Sequence, residues 1–207
     1  MEFYNYLVEQ FGYNEVIFSN EFSFNAYSEP WIKKAVARLC EEEKLIRFDK
    51  GVYYIPTETV LGKSKLDPRK VITKKYVKSD NETMGYFAGI TFMNMLGLST
   101  QMPNIMEIYT NNESARVREV SVGPLKVLLR RSRANISSRN AATMNFLELM
   151  NCTDAVFYDD RKRQTVAEFI KQNGITRQMI SECSPYFPDK AMRTMVESEV
   201  VYSVAQG

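Results

Sequence analysis

The chain has 207 residues, of which 44% are hydrophobic, 12% aromatic and 25% charged, and its formal net charge is +2. These values are typical of a globular protein, and the length favours two small domains. No apolar run reaches the roughly 18 to 20 residues that span a bilayer, and the start, MEFYNYLVEQF, is acidic and aromatic rather than basic and then apolar. We therefore expect a cytoplasmic protein without a membrane partner.

Histidine is absent from the sequence, which removes the commonest general base and excludes Ser-His and Cys-His nucleophiles. The cysteines lie far apart without a Cys-x-x-Cys pair, and we expect reduced core thiols at Cys40, Cys152 and Cys183. We accordingly predict no metal, no cofactor and no catalytic residues. One enzymatic alternative stays open, a metal-dependent nuclease that uses Asp154, Asp159, Asp160 or Glu168.

Positive charge is concentrated in the middle of the chain. Residues 1–62 carry a net charge of −4, residues 63–139 of +8 and residues 140–207 of −2. A local excess of this size favours a surface that faces a polyanion, although solvated lysines on an ordinary surface give the same count.

The first elements along the chain are short. Residues 1–11 predict an amphipathic helix, residues 15–18 a brief strand and residues 19–24 a short second helix. Residues 25–27 then turn the chain into a longer helix.

That longer helix and the hairpin after it, residues 27–56, organise the rest of the chain. The apolar residues of the helix recur at helical spacing and form one buried face, consisting of Ile32, Ala35, Val36, Leu39 and Cys40. The opposite face is polar and cationic and carries Tyr27, Pro30, Lys34, Ala37, Arg38 and Glu41, with Lys33 at its edge. Either Ser28 caps the helix or Pro30 is its first residue.

A β-hairpin follows the helix directly. Residues 46–48 and 52–55 are rich in β-branched and aromatic residues, and the turn between them uses Gly51. Two small elements, a helix and a hairpin in this order predict a winged helix-turn-helix, in which the helix enters the major groove of DNA and the hairpin touches the backbone. The alternative is ordinary packing of an amphipathic helix against a hairpin.

The winged-helix interpretation assigns the exposed residues to two kinds of contact. Base contacts are expected from Tyr27, Ser28, Lys33, Lys34 and Arg38, and phosphate contacts from Arg47 and Lys50. Because residues 1–62 are net negative, phosphate attraction must come from a local patch or from the basic middle segment, with much of the salt dependence arising from residues 63–78 and 130–139. We therefore expect weak binding to random DNA.

The remaining residues, 63–207, predict a second domain of mixed α/β type. After a linker, its elements are a basic helix over residues 69–78, a helix within residues 82–104 that ends at Gly97, and an antiparallel meander of strands over residues 105–110, 116–120 and 122–130. Further helices are predicted over residues 140–150, 160–172, 176–183 and 189–200. The candidates for phosphate contacts or for a partner-binding surface are Lys74, Lys75, Lys78, Arg130, Arg131 and Arg133.

The predicted fold class is therefore α+β. A winged helix-turn-helix over residues 1–62 is followed by a mixed α/β C-terminal domain, residues 63–207, with a small antiparallel sheet and several helices.

Three segments of the sequence resemble a known family. They are RLCEEEKLIRFDKGVYYIP (residues 38–56), GYFAGITFMNMLGLSTQMPN (residues 85–104) and the strand IMEIYTN that follows. Together they are similar to the AbiEi-type antitoxins of bacterial toxin-antitoxin and abortive-infection systems. The most specific pieces are residues 50–54 and 89–103, and the resemblance covers residues 1 to about 150.

The resemblance implies a function for each predicted domain. The winged helix would bind inverted repeats in the double-stranded promoter DNA of its own operon and repress transcription. The C-terminal domain would counteract a nucleotidyltransferase-like toxin, without a stable complex between the two proteins. The alternative is a protein-interaction antitoxin that neutralises its toxin by direct binding.

Overall fold

The computed structural model describes residues 2–23, 27–79, 82–101 and 103–204. Within these residues, no helix is both long and apolar enough to cross a membrane. The architecture is mixed α+β, with helices and small antiparallel strand pairings, as the sequence predicts.

Contacts between residues divide the chain into two compact units. The first unit consists of residues 1–74 with residues 122–124, and the second of residues 75–121 with residues 125–207. Residues 63–74, which the sequence analysis places in a second domain, therefore group with the first unit.

The first unit begins with a helix, a short strand and a turn. These are α1 (Glu2–Phe11), β1 (Ile17–Phe18) and a 3₁₀ turn (Ser19–Glu21). The turn replaces the short helix predicted over residues 19–24, because the Glu21 carboxylate accepts a hydrogen bond from the Phe18 amide at 2.6 Å and closes the turn after three residues. Phe24 and the predicted turn residues Asn25 and Ala26 lie outside the described residues.

The predicted long helix and hairpin are confirmed. They are α2 (Glu29–Glu41), β2 (Ile46–Asp49) and β3 (Val52–Tyr54). Ser28 occupies the N-cap position, so Pro30 is the second helical residue. Strand β3 lies between β1 and β2 in an antiparallel sheet, where Ile17 and Arg47 both pair with Tyr53. Gly51 closes the hairpin with a φ of +73°, in the left-handed region that glycine adopts without strain.

One apolar cluster holds the first unit together. The predicted buried face of α2 is confirmed at Ala35, Val36 and Leu39, each at most 9% exposed, while Ile32 and Cys40 are partly buried. The side chains that pack with this face come from α1, β1 and the segments around the hairpin, and include Phe3, Leu7, Ile17, Leu45 and Ile55. Burial of the apolar stripe fixes which side of α2 faces away from the core.

The first unit ends with a second hairpin and a helix. Strands β4 (Glu58–Thr59) and β5 (Gly62–Lys63) occupy the stretch predicted as a linker. Helix α3 (Pro68–Ile72) continues as a π-helical turn (Thr73–Val77), which agrees with the predicted basic helix. The Asp67 side chain accepts a hydrogen bond from the Arg69 amide at 2.8 Å and caps α3.

The second unit contains a four-stranded sheet whose strand order differs from the prediction. Its strands are β6 (Gly85–Ala88), β7 (Ile105–Thr110), β8 (Val117–Val122) and β9 (Leu125–Arg131). The predicted meander would place β8 beside β7, whereas β9 lies next to β7 and parallel to it, with β8 at the edge. The physical reason is burial, because Val127 and Leu129 of β9 are fully buried whereas β8 is mostly exposed.

The block over residues 82–104 is a strand followed by a helix, so the single predicted helix is wrong. After β6, helix α4 covers Gly89–Met95, and Gly97 with a φ of +72° ends it as predicted. Gly85 allows β6 to form because its backbone packs closely, and an added Cβ would lie 2.1 Å from the Tyr76 carbonyl and 2.6 Å from the Tyr109 carbonyl. Only glycine tolerates that approach.

Helices surround one central helix in the rest of the second unit. The helices of this part are α5 (Ala141–Cys152), α6 (Asp160–Gln172), α7 (Arg177–Cys183) and α8 (Asp189–Glu197). Their bounds are close to those predicted from the sequence. Every residue from 143 to 150 is buried, which makes α5 the core element against which α8, β6, α4 and α7 pack.

A glycine substitution tests the close approach at β6. Gly85→Ala should destabilise the protein by about 3 kcal/mol or more, because the new Cβ meets two backbone carbonyls that cannot move independently. The matched control is Gly97→Ala, where the new Cβ would have no atom within 4 Å. Its loss of stability should be about 1 kcal/mol, the cost of holding alanine in a left-handed backbone conformation. Guanidinium unfolding followed by circular dichroism measures both, and equal losses would contradict the steric explanation.

Candidate nucleic-acid interface

A stripe of exposed residues follows the side of α2 that faces away from the core. Tyr27, Trp31, Lys34 and Arg38 recur at intervals of four, three and four residues, which places them on one helical face. Tyr27 and Trp31 stack with their ring centroids 4.1 Å apart, and the edge of Trp31 contacts Phe3 at 5.7 Å. We call these four residues the α2 stripe.

Trp31 was not among the predicted DNA-binding residues. It is 37% exposed although it carries a large apolar ring, and its stacking on Tyr27 and its edge-to-face contact with Phe3 fix its position. Sequence spacing could have identified it, because Trp31 lies three residues before Lys34 and seven before Arg38.

The cations on α2 differ in how far neighbouring carboxylates neutralise them. Lys33 pairs with Glu29 at 2.7 Å and Arg38 approaches Glu42 at 3.6 Å. The hydrogen bond from Lys33 lowers the pKa of the Glu29 carboxyl. Within the described part of the chain Lys34 makes no such pair, so its charge is available to an incoming anion.

The hairpin contributes two further exposed cations. Arg47 on β2 donates from Nε to the Asp49 carbonyl at 3.3 Å, and the Lys50 amide donates to the Asp49 carboxylate at 2.6 Å. Neither side chain forms a salt bridge with a residue that the structure describes. Arg47 and Lys50 are therefore exposed hairpin cations whose charges are available to an anion.

Much of the basic middle segment is neutralised inside the first unit. Lys63 pairs with Glu43 at 2.7 Å, Lys70 pairs with Glu15 at 2.5 Å and Lys74 pairs with Glu21 at 2.8 Å, and each of these carboxylates belongs to residues 1–62. The opposite segment charges seen in the sequence thus cancel in the fold. The first unit contains eleven Lys and Arg and eleven Asp and Glu, so it is net neutral rather than negative.

Lys74 has a structural environment. Its side chain is 14% exposed, donates to the Val16 carbonyl at 2.8 Å and lies over the rings of Phe11 and Phe18 at 5.7 and 5.5 Å. A lysine enclosed in this way ties the π-helical turn after α3 to the segment around β1. Of its predicted companions, Lys75 lies over the Tyr76 ring at 5.2 Å, and both Lys75 and Lys78 are exposed.

The predicted arginine cluster is divided between pairing and exposure. Arg130 forms a salt bridge with Glu107, and Arg133 pairs with Glu148 at 3.3 Å while lying over the ring of Phe187 at 5.2 Å. Arg131 is exposed. Two of the three side chains are therefore engaged inside the second unit.

Glu148 organises a buried polar cluster beneath Arg133. It is 5% exposed and accepts hydrogen bonds from the Tyr109 hydroxyl at 3.3 Å and from Asn151 at 3.0 Å. The Tyr86 hydroxyl is buried nearby, with no hydrogen-bond partner among the described residues. Burial, reinforced by the Glu148 charge, raises the pKa of Tyr86 and of Tyr109, so both stay neutral at physiological pH.

The cysteines and the acidic residues of the last third have ordinary surroundings. Cys183 is buried and Cys40 partly buried, but Cys152 is exposed at the end of α5, so the expectation of a core thiol is wrong there. The candidate nuclease residues occupy caps and ion pairs, as Asp159 caps α6 and Asp154 pairs with Lys190 at 3.0 Å. In the described ranges, no three Cys, Asp or Glu residues lie close enough together to hold a metal ion.

The comparisons with known proteins identify one family. The model of DUF6088, a family of unknown function, matches residues 7–177, which is most of the chain. No curated protein matches the sequence.

The environment of Lys74 yields a test that separates a structural lysine from an exposed one. Lys74→Met should destabilise the protein by about 2 kcal/mol, because it leaves the partly buried Glu21 without its cation. Lys75→Met, which alters an exposed side chain, should change stability by less than about 0.5 kcal/mol. Thermal or guanidinium unfolding measures both, and an unchanged stability of Lys74→Met would show that the ion pair contributes nothing.

Proposed function

We propose that this chain, which belongs to the DUF6088 family of unknown function, is a repressor that binds duplex DNA through α2 and the β2–β3 hairpin. The observation that carries the proposal is that Lys34 on α2 and Arg47 and Lys50 on the hairpin are exposed cations without acidic partners among the described residues. The α2 stripe adds two stacked aromatic rings to this surface.

The order and pairing of the elements support a winged-helix interpretation of the first unit. A helix, a strand, a turn, a helix and two strands follow one another, and the strands form an antiparallel sheet in the order β1-β3-β2. In DNA-binding proteins of this kind, the helix before the hairpin enters the major groove. With its buried face held in the core, α2 presents the α2 stripe on a side that is exposed to solvent.

The surface divides into contacts that read bases and contacts that position the backbone. We assign base contacts to Tyr27, Ser28, Trp31, Lys34 and Arg38, with Lys33 at the edge of the helix, and phosphate contacts to Arg47 and Lys50. A lysine or arginine in the major groove favours guanine, and an aromatic ring can contact the methyl group of thymine. The pairing of Lys33 with Glu29 makes Lys33 the weakest of the candidates.

The neutral net charge of the first unit supports selective rather than general DNA binding. Affinity for random DNA comes from phosphate neutralisation by unpaired cations, and Lys63, Lys70 and Lys74 are already paired. The salt dependence expected from this part of the middle segment should therefore be small. This interpretation moves the main phosphate contacts to the hairpin.

The resemblance to AbiEi-type antitoxins completes the proposal. The chain would bind inverted repeats upstream of its own gene and counteract a nucleotidyltransferase-like toxin encoded beside it. The second unit would serve the antitoxin activity, either without a stable complex or, as the alternative, by direct binding of the toxin. Both versions place DNA binding in the first unit.

Substitution of single cations tests DNA binding. Lys34→Ala should weaken binding to the DNA upstream of the gene about tenfold, and Arg47→Ala should lower the slope of log affinity against log salt concentration by about one. Lys171→Ala, which removes an exposed lysine from α6, is the control with the same change of charge and should have little effect. Gel-shift titrations at several salt concentrations provide both quantities. Equal effects of Lys34→Ala and Lys171→Ala would contradict the assignment.

A double substitution tests whether DNA binding and antitoxin activity are separate. Lys34→Ala with Arg38→Ala should abolish promoter binding and leave protection of cells against the toxin intact, because the altered side chains lie only on α2. Co-expression with the neighbouring toxin measures protection, and a pull-down shows whether the toxin is bound directly. If both activities are lost from a protein that stays folded, the division of labour between the units is wrong.

A further inference from the structure

A groove of about 500 Å³ runs along α2 on the side that faces the sheet. The helix lines it with residues at intervals of three, one, three, one and three, namely Glu29, Ile32, Lys33, Val36, Ala37 and Cys40. These groove-lining residues extend over about 16 Å of the helix. A volume in this range is typical of sites for small organic ligands, which occupy about 300 to 1,000 Å³.

The middle of the groove is apolar and aromatic. Ile32 and Val36 form one wall, and Phe22 and Tyr53 lie in the lining with their rings in edge-to-face contact at 5.3 Å. Phe22, Ile32 and Tyr53 are only partly buried, so apolar surface remains open to solvent inside the groove. The rings of Phe22 and Tyr53 could each make a similar edge-to-face contact with the aromatic ring of a ligand.

The two ends of the groove are polar in different ways. At the N-terminal end of α2, Glu29 and Lys33 neutralise each other at 2.7 Å. Arg47 pairs with Tyr53 across the strands and lies close enough to the Cys40 thiol for its charge to act on it, which places the guanidinium toward the C-terminal end of the helix. Among the described residues it has no carboxylate partner, so this end of the groove is cationic.

We propose that the groove binds a small aromatic carboxylate. The ring system would lie against Phe22, Tyr53, Ile32 and Val36, and the carboxylate would accept hydrogen bonds from Arg47. The choice of an anion follows from charge complementarity. Lys33 at one end of the groove is already paired with Glu29, whereas Arg47 at the other end has no carboxylate partner among the described residues. An arginine fork and a planar carboxylate also match in geometry.

Occupation of the groove would release DNA, and this regulatory step rests on the proposed function. Arg47 is the residue shared by the groove and by the phosphate contacts of the hairpin. A bound carboxylate would neutralise the charge of Arg47 and occupy the guanidinium that would otherwise contact a DNA phosphate. The chain would then act as a repressor whose DNA binding responds to a small molecule.

Calorimetric titration of the full chain with naphthoate and with indole acetate tests the site without DNA. We expect binding of at least one acid, with naphthalene methanol, the neutral analogue of the first, at least tenfold weaker. Arg47→Gln should weaken binding about tenfold, because it removes the charged donor. Ala37 is an exposed residue of the groove wall. Ala37→Phe should abolish binding, because the phenyl ring would fill the space that the acid occupies. Lys171→Gln should bind as the unaltered protein does.

Any of three results would overturn the proposed site. The first is that neither acid binds at millimolar concentration, and the second is that the neutral analogue binds as tightly as the acid. The third is that both Arg47→Gln and Ala37→Phe retain full affinity.

A second titration tests the regulatory step separately. The bound acid is added to the complex of the full chain with its upstream DNA, and a gel shift follows release of the DNA. Release by the acid and not by the neutral analogue supports the coupling, whereas DNA binding that is unaffected at saturating acid overturns it. If the protein binds no DNA at all, the proposed function and the regulatory step fail together, while the calorimetric result on the groove stands by itself.

Discussion

Burial of one side of α2 is the constraint on which the first unit depends. Ala35, Val36 and Leu39 pack with Leu7 and Ile17, and this contact leaves the helix no freedom to rotate about its axis. The opposite side is therefore presented in one orientation, with Tyr27, Trp31, Lys34 and Arg38 in a row. The same contact sets the position of the sheet, and with it the groove between α2 and β3. Core packing in this way decides which side chains are available for recognition.

Charge pairing sets the electrostatic character of that surface. Lysines from the basic middle segment pair with glutamates from the acidic first segment, so the net charge of a sequence window does not describe the field around the folded unit. Cations without partners then matter more than total charge, and within the described residues these include Lys34, Arg47 and Lys50. Under the proposed function, such a surface would make few phosphate contacts and would depend on base contacts for its affinity, which suits a protein that binds a small number of sites.

The local elements of the fold could be predicted from the sequence, but several of their pairings could not. The 3.6-residue period of α2 and the glycine of the β2–β3 turn identify those elements because their causes are local. The position of β9 beside β7 depends on how apolar residues far apart in the chain share one core, and no local pattern shows it. The block around Gly85 was misjudged for the same reason, since the need for glycine comes from the carbonyls of Tyr76 and Tyr109.

The candidate site shows the same limit. The exposed cations of α2 and of the hairpin follow from helical and strand periodicity, and all of them are exposed. The roles of Lys74, Arg130 and Arg133 could not be deduced, because each depends on a carboxylate brought close only by folding. Trp31 was within reach of the periodicity argument, whereas the groove that Arg47 shares with Tyr53 depends on the register of the sheet.

Nuclear magnetic resonance titration of the full chain with duplex DNA from upstream of its own gene shows which residues contact the DNA. We predict that backbone amide signals of residues 31–38 and of Arg47 to Lys50 change, together with the indole signal of the single tryptophan, Trp31. Signals from the buried α5 should stay in place. If specific DNA binds and the changes are confined to residues outside α2 and the β2–β3 hairpin, the first unit does not read DNA through this surface.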